Sequence, residues 1–479
     1  MQTILDCYTD EPAGLGVPPY LGTYPRYIAG QLDDPFYITI DDLRLIHKYG
    51  GEVPHPKPHQ KTDITVQNLT RRSQEVKEIL QKTDELIIIV GVHTPGKYLS
   101  AMPGTLNELR RLLKGIGCRK VLTGPAVHGT RLHGGKGQER VQDSLFDDIV
   151  HFNEDYTTIA DAAVRGARIL EQIPDARIME IETSRGCSRN PGCSFCLEPI
   201  KNTLTFRPMD DIIQEVRTLH EKGARHFRLG KQSCIYIHPD IIHILKGIHG
   251  LGVETLHIDN ANPANVIGND DITKAIVEYC TPGNVAAFGV ESFDPDVIGK
   301  NNLNSDPETT MRAIRTLNHY GGHRAQNGMP HFLPGINLLL GLMGETKTTF
   351  RRNYEALSQI LDEKLLIRRI NIRMVVPFDG TPLHQQANMK FIRKNRRFYH
   401  SWRKKIREDI DHEMLKQLVP IGTILTNVIP EVYDGKKTFG RQMGTYPLIV
   451  GVRERLPLKQ PVDIRVTGYM LRSIIGEPV

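Results

Sequence analysis

The chain has 479 residues, of which 39% are hydrophobic and 24% charged, and its 61 basic and 55 acidic side chains give a formal net charge of +6. At roughly 100 to 200 residues per domain this length predicts about two to four domains, and the composition excludes global disorder and collagen-like repeats. Seven cysteines are too few for a secreted disulfide framework, and the longest apolar run, residues 86–90, is too short to cross a bilayer. Because the first residues lack a basic leader followed by an apolar segment, we expect a cytoplasmic protein without membrane contact.

Residues 1–150 are predicted to form a Rossmann-like α/β domain. Apolar spacing predicts a strand, a helix and a second strand at 85–91, 105–117 and 120–124. This order requires parallel strands, whose carboxyl ends meet at the edge where open sheets bind ligands. Gly91 and Gly124 stand at those ends and mark a candidate cofactor site; plain turn glycines are the alternative.

Residues 176–385, which follow a linker at 151–175, alternate predicted strands with predicted helices. Strict alternation requires a parallel sheet, and six such strands curl into an incomplete (β/α)6 TIM barrel whose ligand loops lie at the carboxyl rim. The strands are predicted at 177–182, 225–230, 254–259, 285–290, 332–340 and 367–375. The helices between them are predicted near 210–222, 240–249, 270–280, 307–319 and 347–361.

Residues 386–479 have a different pattern. A basic helix is predicted over 394–418, and the short strands that follow it, at 423–429, 446–452 and 462–469, are typical of a small antiparallel barrel. The helix favours a negatively charged partner, and a solvated helix face is the alternative.

Three cysteines form the pattern C-x5-C-x2-C on the loop that leaves the first predicted barrel strand: Cys187, Cys193 and Cys196. Three thiolates from one loop can hold three irons of a [4Fe–4S] cluster and leave the fourth iron open for a ligand. Zinc would need a fourth ligand and usually shows a second ligand pair downstream. The alternatives to the cluster are therefore a zinc site or three unrelated thiols.

Residues 176–380 resemble the radical S-adenosylmethionine (SAM) superfamily. The resemblance rests on this cysteine motif and on further short segments that follow it along the chain in the order usual for the family. The usual cysteine gaps there are x3 and x2, so the x5 gap is a departure. Phe195 stands where the backbone of the family approaches the adenine, and residues 230–232 fall where its Gly-Gly-Glu segment binds the methionine amine, although only Gly230 matches that segment. The SAM contacts that the resemblance implies are Phe195, Gly230, Lys231, Gln232, Glu291, Ser292, Gly341 and Leu342.

Two further residues are assigned to SAM from strand alternation. Asn371 and Arg373 lie on the same face of the sixth predicted strand, so both can point into the barrel. The guanidinium of Arg373 matches the SAM carboxylate, because its donors can bind both oxygens. Arg368 and Arg369 flank the same strand.

The resemblance implies that the cluster passes one electron to SAM, which splits into methionine and a 5′-deoxyadenosyl radical that abstracts hydrogen from an unactivated carbon. It also implies a low-potential electron donor such as ferredoxin. The sequence assigns no catalytic acid or base.

Radical SAM enzymes with a leading α/β domain commonly form the cobalamin-dependent branch, in which methylcobalamin gives its methyl group to the substrate radical. This chain lacks the Asp-x-His-x-x-Gly segment that supplies a cobalt ligand elsewhere. The resemblance therefore implies a cobalamin held by loop backbones, and His93 and His128 are interpreted as loop histidines in preference to cobalt ligands. The implied cobalamin contacts are Tyr8, Gly91, Val92, His93, Gly124 and Pro125.

Residues 10–16, 227–230 and 472–474 look like archaeal cobalamin-type radical SAM proteins, a group that includes the glutamine C-methyltransferase of methyl-coenzyme M reductase. This narrower resemblance implies C-methylation of a protein or peptide substrate, such as the alpha subunit of that reductase. Residues 386–479 would then be a TRAM-like substrate-recognition domain.

Two other functions stay open. A methylthiotransferase acting on tRNA or protein shares this domain order, but it needs three cysteines in its leading domain, and residues 1–150 contain only Cys7 and Cys118. A basic surface suits tRNA and an acidic peptide equally. The other alternative is a non-enzymatic iron–sulfur electron carrier or sensor, which would not cleave SAM.

Overall fold

The structure is a computed structural model that describes residues 1–8, 20–52, 69–91, 103–131, 138–141, 143–174 and 177–479. By its contacts the chain divides into two compact units: a first unit of Met1–Ile181 and Pro208–Phe227, and a second unit of Glu182–Arg207 and Arg228–Val479. Within the described segments, no helix combines the length and the apolar character needed to cross a membrane. The domain boundaries given above stay a prediction.

Strands and helices are numbered along the chain. The strands are β1 (Gln2–Asp6), β2 (Tyr20–Leu21), β3 (Phe36–Thr39), β4 (Glu85–Ile89), β5 (Arg119–Thr123), β6 (Thr130–Arg131), β7 (Gln138–Glu139), β8 (Asp148–Ile149), β9 (Ile178–Glu182), β10 (Ser184–Arg185), β11 (Thr205–Phe206), β12 (His226–Gly230), β13 (Thr255–Ile258), β14 (Asn260–Ala261), β15 (Asn284–Glu291), β16 (Phe332–Leu340), β17 (Arg369–Met374), β18 (Ile424–Asp434), β19 (Lys437–Gln442), β20 (Val450–Val452), β21 (Val462–Tyr469) and β22 (Ile474–Pro478). The helices are α1 (Thr23–Gln31), α2 (Ile40–Tyr49), α3 (Val76–Lys82), α4 (Leu106–Leu112), α5 (Tyr156–Gly166), α6 (Glu198–Lys201), α7 (Met209–Glu221), α8 (Ile241–His249), α9 (Pro263–Val266), α10 (Asp270–Tyr279), α11 (Pro295–Lys300), α12 (Pro307–Gly321), α13 (Lys347–Asp362), α14 (Pro382–Gln386), α15 (Lys390–Ile406) and α16 (His412–Leu418).

The first unit contains a parallel sheet with the strand order β3-β1-β4-β5-β8. β4 ends in three isoleucines, of which Ile88 and Ile89 are fully buried, as the apolar run predicted. α4 covers the sheet with its leucine face and begins at Thr105, whose hydroxyl accepts a hydrogen bond from the Glu108 backbone N–H at 3.1 Å. The predicted strand–helix–strand order is confirmed, but α4 ends at Leu112, before the glycines at 115 and 117 that the prediction included.

Helices α1 and α5 of the first unit cross closely because each has a glycine at the contact. A Cβ on Gly30 would lie 1.9 Å from the Ala162 carbonyl oxygen, and a Cβ on Gly166 would lie 1.8 Å from that of Arg26. Since no side chain fits at either place, the two backbones pack directly against each other.

The second unit contains a parallel sheet with the order β14-β15-β16-β17. In register, Gly335, Asn337 and Leu339 of β16 pair with Arg369, Asn371 and Arg373 of β17, and these six positions define the inner face of the sheet. The intervening Ile370 and Ile372 are buried on the opposite face. The mixed α/β class with parallel sheets is confirmed.

The chain ends in a basic helix and a closed barrel. α15 and α16 are joined by a π-helical segment, Arg407–Asp411, and the barrel has the order β18-β19-β20-β22-β21 around a core that includes Leu425 and Ile464. The predicted small β-rich domain is confirmed, but its strands are not all antiparallel, because β20 and β22 pair in parallel.

Candidate active site

The loop that carries the three cysteines is held at several points. It begins at Gly186, where the backbone is left-handed (φ +80°) and a Cβ would lie 2.5 Å from the Leu204 N. The Gly186 N–H donates to Glu198 Oε1 at 2.7 Å. At the other end, Ser194 donates from its hydroxyl to Asn301 Oδ1 at 2.7 Å and from its backbone N–H to the Asn301 carbonyl at 2.9 Å. The longer x5 gap therefore forms a loop with fixed ends.

The three thiols of this loop interact electrostatically with one another. Burial raises the pKa of Cys193 to about 11 and that of Cys196 to about 12, and Cys187 adds to both increases. Arg189 offers the opposite charge, with Nη1 3.0 Å from Cys193 Sγ. Thiols in this setting give up their protons to a metal, whose positive charge outweighs the burial.

The donor set fits a [4Fe–4S] cluster. A cubane spreads three thiolates over three irons, so the sulfurs need not converge on one point. Within the described residues, no group of three Cys, His, Asp or Glu side chains is arranged around a single metal ion. Cys187, Cys193 and Cys196 are thus the residues that would hold the cluster.

Left-handed backbone marks the ends of three strands in the second unit. Lys231 follows β12 with φ +63°, Glu291 ends β15 with φ +62°, and Gly341 follows β16 with φ +95°. The conformation is costly for a residue with a Cβ and is concentrated at functional sites. All three residues were predicted as SAM contacts. The Glu291 charge also raises the pKa of Cys193, which places this carboxylate near the cysteine loop.

Other predicted SAM residues are bonded to the protein itself. Gln232 is 2% exposed; its Nε2 donates to the Leu229 carbonyl at 3.2 Å, and its Oε1 accepts from the Thr183 hydroxyl at 3.2 Å. The Ser292 hydroxyl accepts from the Asp294 N–H at 3.1 Å. Gly230 lies at the buried end of β12. The hydrogen bonds of the Gln232 and Ser292 side chains are thus made within the protein.

Phe195 and Leu342 belong to one apolar cluster. Leu342 is fully buried in it, and Phe195 and Cys193 pack against its edge. The cluster loop and the segment after β16 therefore share a packing surface.

Arg373 is oriented by the neighbouring amide on the inner face. With the Asn371 oxygen turned towards it, that oxygen accepts from Arg373 Nε at 2.7 Å and from Nη2 at 3.1 Å. The Asn371 and Asn337 amides lie 3.1 Å apart. The predicted alternation of Asn371 and Arg373 is thus the observed one.

Arg369 of the inner face contacts a group of residues that the sequence prediction missed. Arg228 and Asp259 form an ion pair at 3.4 Å, and Tyr446 donates from its hydroxyl to Asp259 at 2.9 Å. Arg369 lies against the Tyr446 ring, with its guanidinium carbon 4.6 Å from the ring centre. The sequence signal for Arg369 was its alternation with Asn371, whereas nothing local indicates Tyr446.

The first unit has its own ligand edge. In the order β3-β1-β4, the chain changes direction between β1 and β4, and such a switch point opens a crevice at the carboxyl ends. Tyr8 and Gly91 follow these two strands. Tyr8 has φ +60°, donates from its hydroxyl to Asp41 Oδ2 at 3.0 Å and donates from its N–H to Asp6 Oδ1 at 2.8 Å.

Gly124 and Pro125 lie on the next strand of this edge. Gly124 has φ +90°, and a Cβ there would lie 2.8 Å from the Val90 carbonyl oxygen. Pro125 begins a short 3-10 helix. Val92 and His93 lie outside the described residues.

Glu345 gives the site a pH-dependent stability. It is 1% exposed, and burial raises its pKa to about 7, although it accepts from the Gly341 N–H at 2.9 Å and from Asn395 Nδ2 at 2.9 Å. The folded chain therefore keeps a proton that the unfolded chain releases near the ordinary value. The free energy of unfolding should fall by about 3 kcal/mol as pH rises from below the ordinary pKa to above 7, and then level off.

This prediction is checked by urea unfolding at pH 5 and pH 8 in parallel with Glu345→Gln, which does not titrate. The wild-type chain should lose stability relative to the variant as pH rises. Parallel pH profiles for the two chains would contradict it.

Comparison with known proteins places this site in a family. The model of the radical SAM superfamily matches residues 181–356, the segment with the cysteine loop and most of the strand ends described above. The "Uncharacterized protein MJ0274" of Methanocaldococcus jannaschii is 41% identical, over 99% of this chain and 93% of that protein. The ribosomal protein uS12 methylthiotransferase RimO of Polynucleobacter necessarius is 25% identical, over 63% of this chain and 69% of its own.

Among solved structures, the radical SAM methyltransferase TsrM of Kitasatospora setae, with cobalamin and a [4Fe–4S] cluster bound, matches with a TM-score of 0.46 at 12% identity. The match covers 80% of this chain and 73% of that one. The superfamily model matches the segment with the cysteine loop, and the identity to MJ0274 extends over nearly the whole chain. The chain therefore belongs to the radical SAM superfamily and, within it, to the family of the MJ0274 protein.

Proposed function

We propose that this radical SAM enzyme transfers a methyl group to an unactivated carbon of a protein side chain, with cobalamin bound by its first unit. The observation that carries the proposal is the crevice of the first unit, where Tyr8, Gly91 and Gly124 follow adjacent parallel strands. A leading domain that inserted sulfur would instead need three thiolates. Cys7 is fully buried in the apolar core of this unit, so it does not face the crevice.

The residues at the crevice suit a large planar cofactor held without a metal ligand from the chain. Gly124 lets two strand ends lie close together at this edge, because its φ is +90° and a Cβ there would lie 2.8 Å from the Val90 carbonyl oxygen. Tyr8 stays a neutral hydrogen-bond donor because burial raises its pKa well above the usual range. A methylcobalamin bound there would supply the methyl group.

The second unit holds the other reactant. Arg373, fixed by Asn371, would bind the SAM carboxylate with two parallel donors. Glu291, at its left-handed position beside the cysteine loop, would accept from the ribose hydroxyls. The buried apolar residues around Leu342 would help to exclude water from a bound SAM.

The experiment is anaerobic reconstitution followed by incubation with methyl-deuterated SAM and candidate protein substrates. We expect 5′-deoxyadenosine, a corrin absorption spectrum, one cluster per chain, and a gain of one labelled methyl group on a substrate peptide. Absence of 5′-deoxyadenosine would favour an electron carrier or sensor and refute the proposal.

The second candidate is a methylthiotransferase, which the similarity to RimO over 63% of the chain favours. It would give two clusters per chain, no corrin, and a product that gains sulfur as well as methyl. The same mass spectrometry separates the two, with tRNA included among the substrates. The alpha subunit of methyl-coenzyme M reductase as substrate and ferredoxin as reductant stay predictions.

A further inference from the structure

A guanidinium without a hydrogen-bond partner lies at the base of the inner face. Arg369 opens β17 on the side that also carries Asn371 and Arg373, and it pairs in register with Gly335. Within the described residues its contact is the face of the Tyr446 ring, and no hydrogen bond or ion pair is present. A stacked guanidinium keeps its N–H groups free at the edge, where a ligand can reach them.

Tyr446 is held firmly beneath it. Its hydroxyl donates to Asp259 Oδ1 at 2.9 Å, and its carbonyl oxygen accepts from Arg368. Asp259 also pairs with Arg228 at 3.4 Å, so its carboxylate is already engaged on both oxygens. The Tyr446 ring thus has a fixed position against Arg369, and the Asp259 carboxylate already interacts with Tyr446 and Arg228.

Positive charge predominates around Arg369. Burial, together with the charges of Arg373, Arg472 and Arg407, lowers the pKa of Arg369 to about 10, although Tyr446 acts in the opposite direction. The carboxylate of Asp411 accepts from Arg407 and, at 3.2 Å, from Arg472. The Arg369 side chain is partly exposed, so a ligand can reach it, and a partly buried cation without a counter-ion is stabilised by an anion.

We propose that Arg369, stacked on Tyr446, binds an acidic side chain of the protein substrate through its carboxylate. This inference rests on the proposed function and adds the chemistry of the substrate. A planar carboxylate matches the two parallel donors at the edge of a guanidinium. The site is separate from Arg373, which lies four residues further along β17, about 13 Å at the usual rise per residue.

The test uses phenylglyoxal, which modifies accessible arginines, on the full-length reconstituted enzyme, with succinate as the carboxylate probe. We expect Arg369 to be modified, and succinate at about ten times its dissociation constant to slow that modification about tenfold. Succinamide, which has the same shape without the charge, should not slow it. Arg228 is 3% exposed and should stay unmodified. The exposed Arg351 should react at the same rate with and without succinate.

Three results would overturn the proposal: an Arg369 that does not react, equal protection by succinamide, or stronger protection by inorganic phosphate than by succinate. The last would assign the site to a nucleic-acid phosphate. Because this readout needs no methyl transfer, its failure is distinct from failure of the proposed function.

Variants give a second measurement by calorimetry. Arg369→Gln should weaken succinate binding about 10- to 100-fold, because a charge-assisted pair is lost. Arg369→Lys keeps the charge but not the two parallel donors, so its affinity for succinate should lie between those of the wild type and Arg369→Gln. Arg351→Gln makes the same charge change on the exposed face of α13 and should leave succinate binding unchanged. Equal affinity in Arg369→Gln and wild type, at matching iron content, would refute the assignment.

Discussion

Replacing any one of Cys187, Cys193 and Cys196 with alanine should abolish the cluster and with it the cleavage of SAM. Each thiolate would hold a different iron, so no neighbouring thiol can substitute for the one removed. We expect iron to fall from about four per chain to near zero and the visible absorption of the cluster to be lost. Formation of 5′-deoxyadenosine should fall to background. Iron analysis, absorption spectra and product chromatography on the anaerobic protein measure the three effects.

Cys234→Ala is the matched control for these variants. This thiol lies close enough to Cys187 for the Cys187 charge to raise its pKa, but it is 1% exposed and its Sγ accepts from the Asn262 N–H at 3.3 Å. It is therefore a structural thiol, and the variant should keep its iron and its SAM cleavage. Loss of iron in Cys234→Ala, with retention in one of the three loop variants, would contradict the ligand assignment.

The repeating part of the fold could be predicted because its local patterns agree with its long-range pairing. Every predicted helix and strand between 177 and 375 lies within two residues of the observed one. The reason is visible in α7, where Ile212, Val216 and Leu219 are buried at helical spacing, and Gly223 follows with φ +98°. Such elements can be predicted without knowing which other elements they pack against.

The terminal barrel could be predicted only in part, because its strands β19 and β22 were missed, and β19 has a polar interior. β19 has the sequence Lys-Thr-Phe-Gly-Arg-Gln, and its buried Arg441 pairs with Glu431 at 2.8 Å. Strand prediction relies on alternating apolar residues, and an ion pair in their place hides the strand. The region from 446 to 449 shows the opposite error. A strand was predicted there, but Tyr446 instead packs against Asp259.

The candidate site divides in the same way. The cysteines and the ends of the strands are local features, so spacing located them. The contact between Arg369 and Tyr446, by contrast, depends on residues more than 180 positions apart, such as Asp259 and Tyr446, and only tertiary contacts bring them together. Sequence predicted Arg373 because it alternates with Asn371, but the free guanidinium of Arg369 becomes apparent only once the partners of its neighbours are known.

Glu215→Ala should be the most destabilising single change in the first unit. Glu215 on α7 and Arg26 on α1 are both fully buried, and Arg26 Nη2 lies 2.7 Å from Glu215 Oε1. Arg26 also donates from Nη1 to the carbonyls of Leu21 and Gly22 at 2.9 and 3.0 Å, so it cannot turn out to water. Removing the carboxylate leaves a buried charge without its counter-ion, and the free energy of unfolding should fall by about 3 to 5 kcal/mol.

Urea unfolding of the first-unit signal measures this loss, and two further chains interpret it. Glu171→Ala breaks an exposed ion pair with Lys222, at 2.8 Å, and should change stability very little. Arg26→Met combined with Glu215→Leu removes both charges, so it should recover most of the stability that Glu215→Ala loses. If the double variant were as unstable as the single one, the loss would come from packing, and the uncompensated guanidinium would not be its cause.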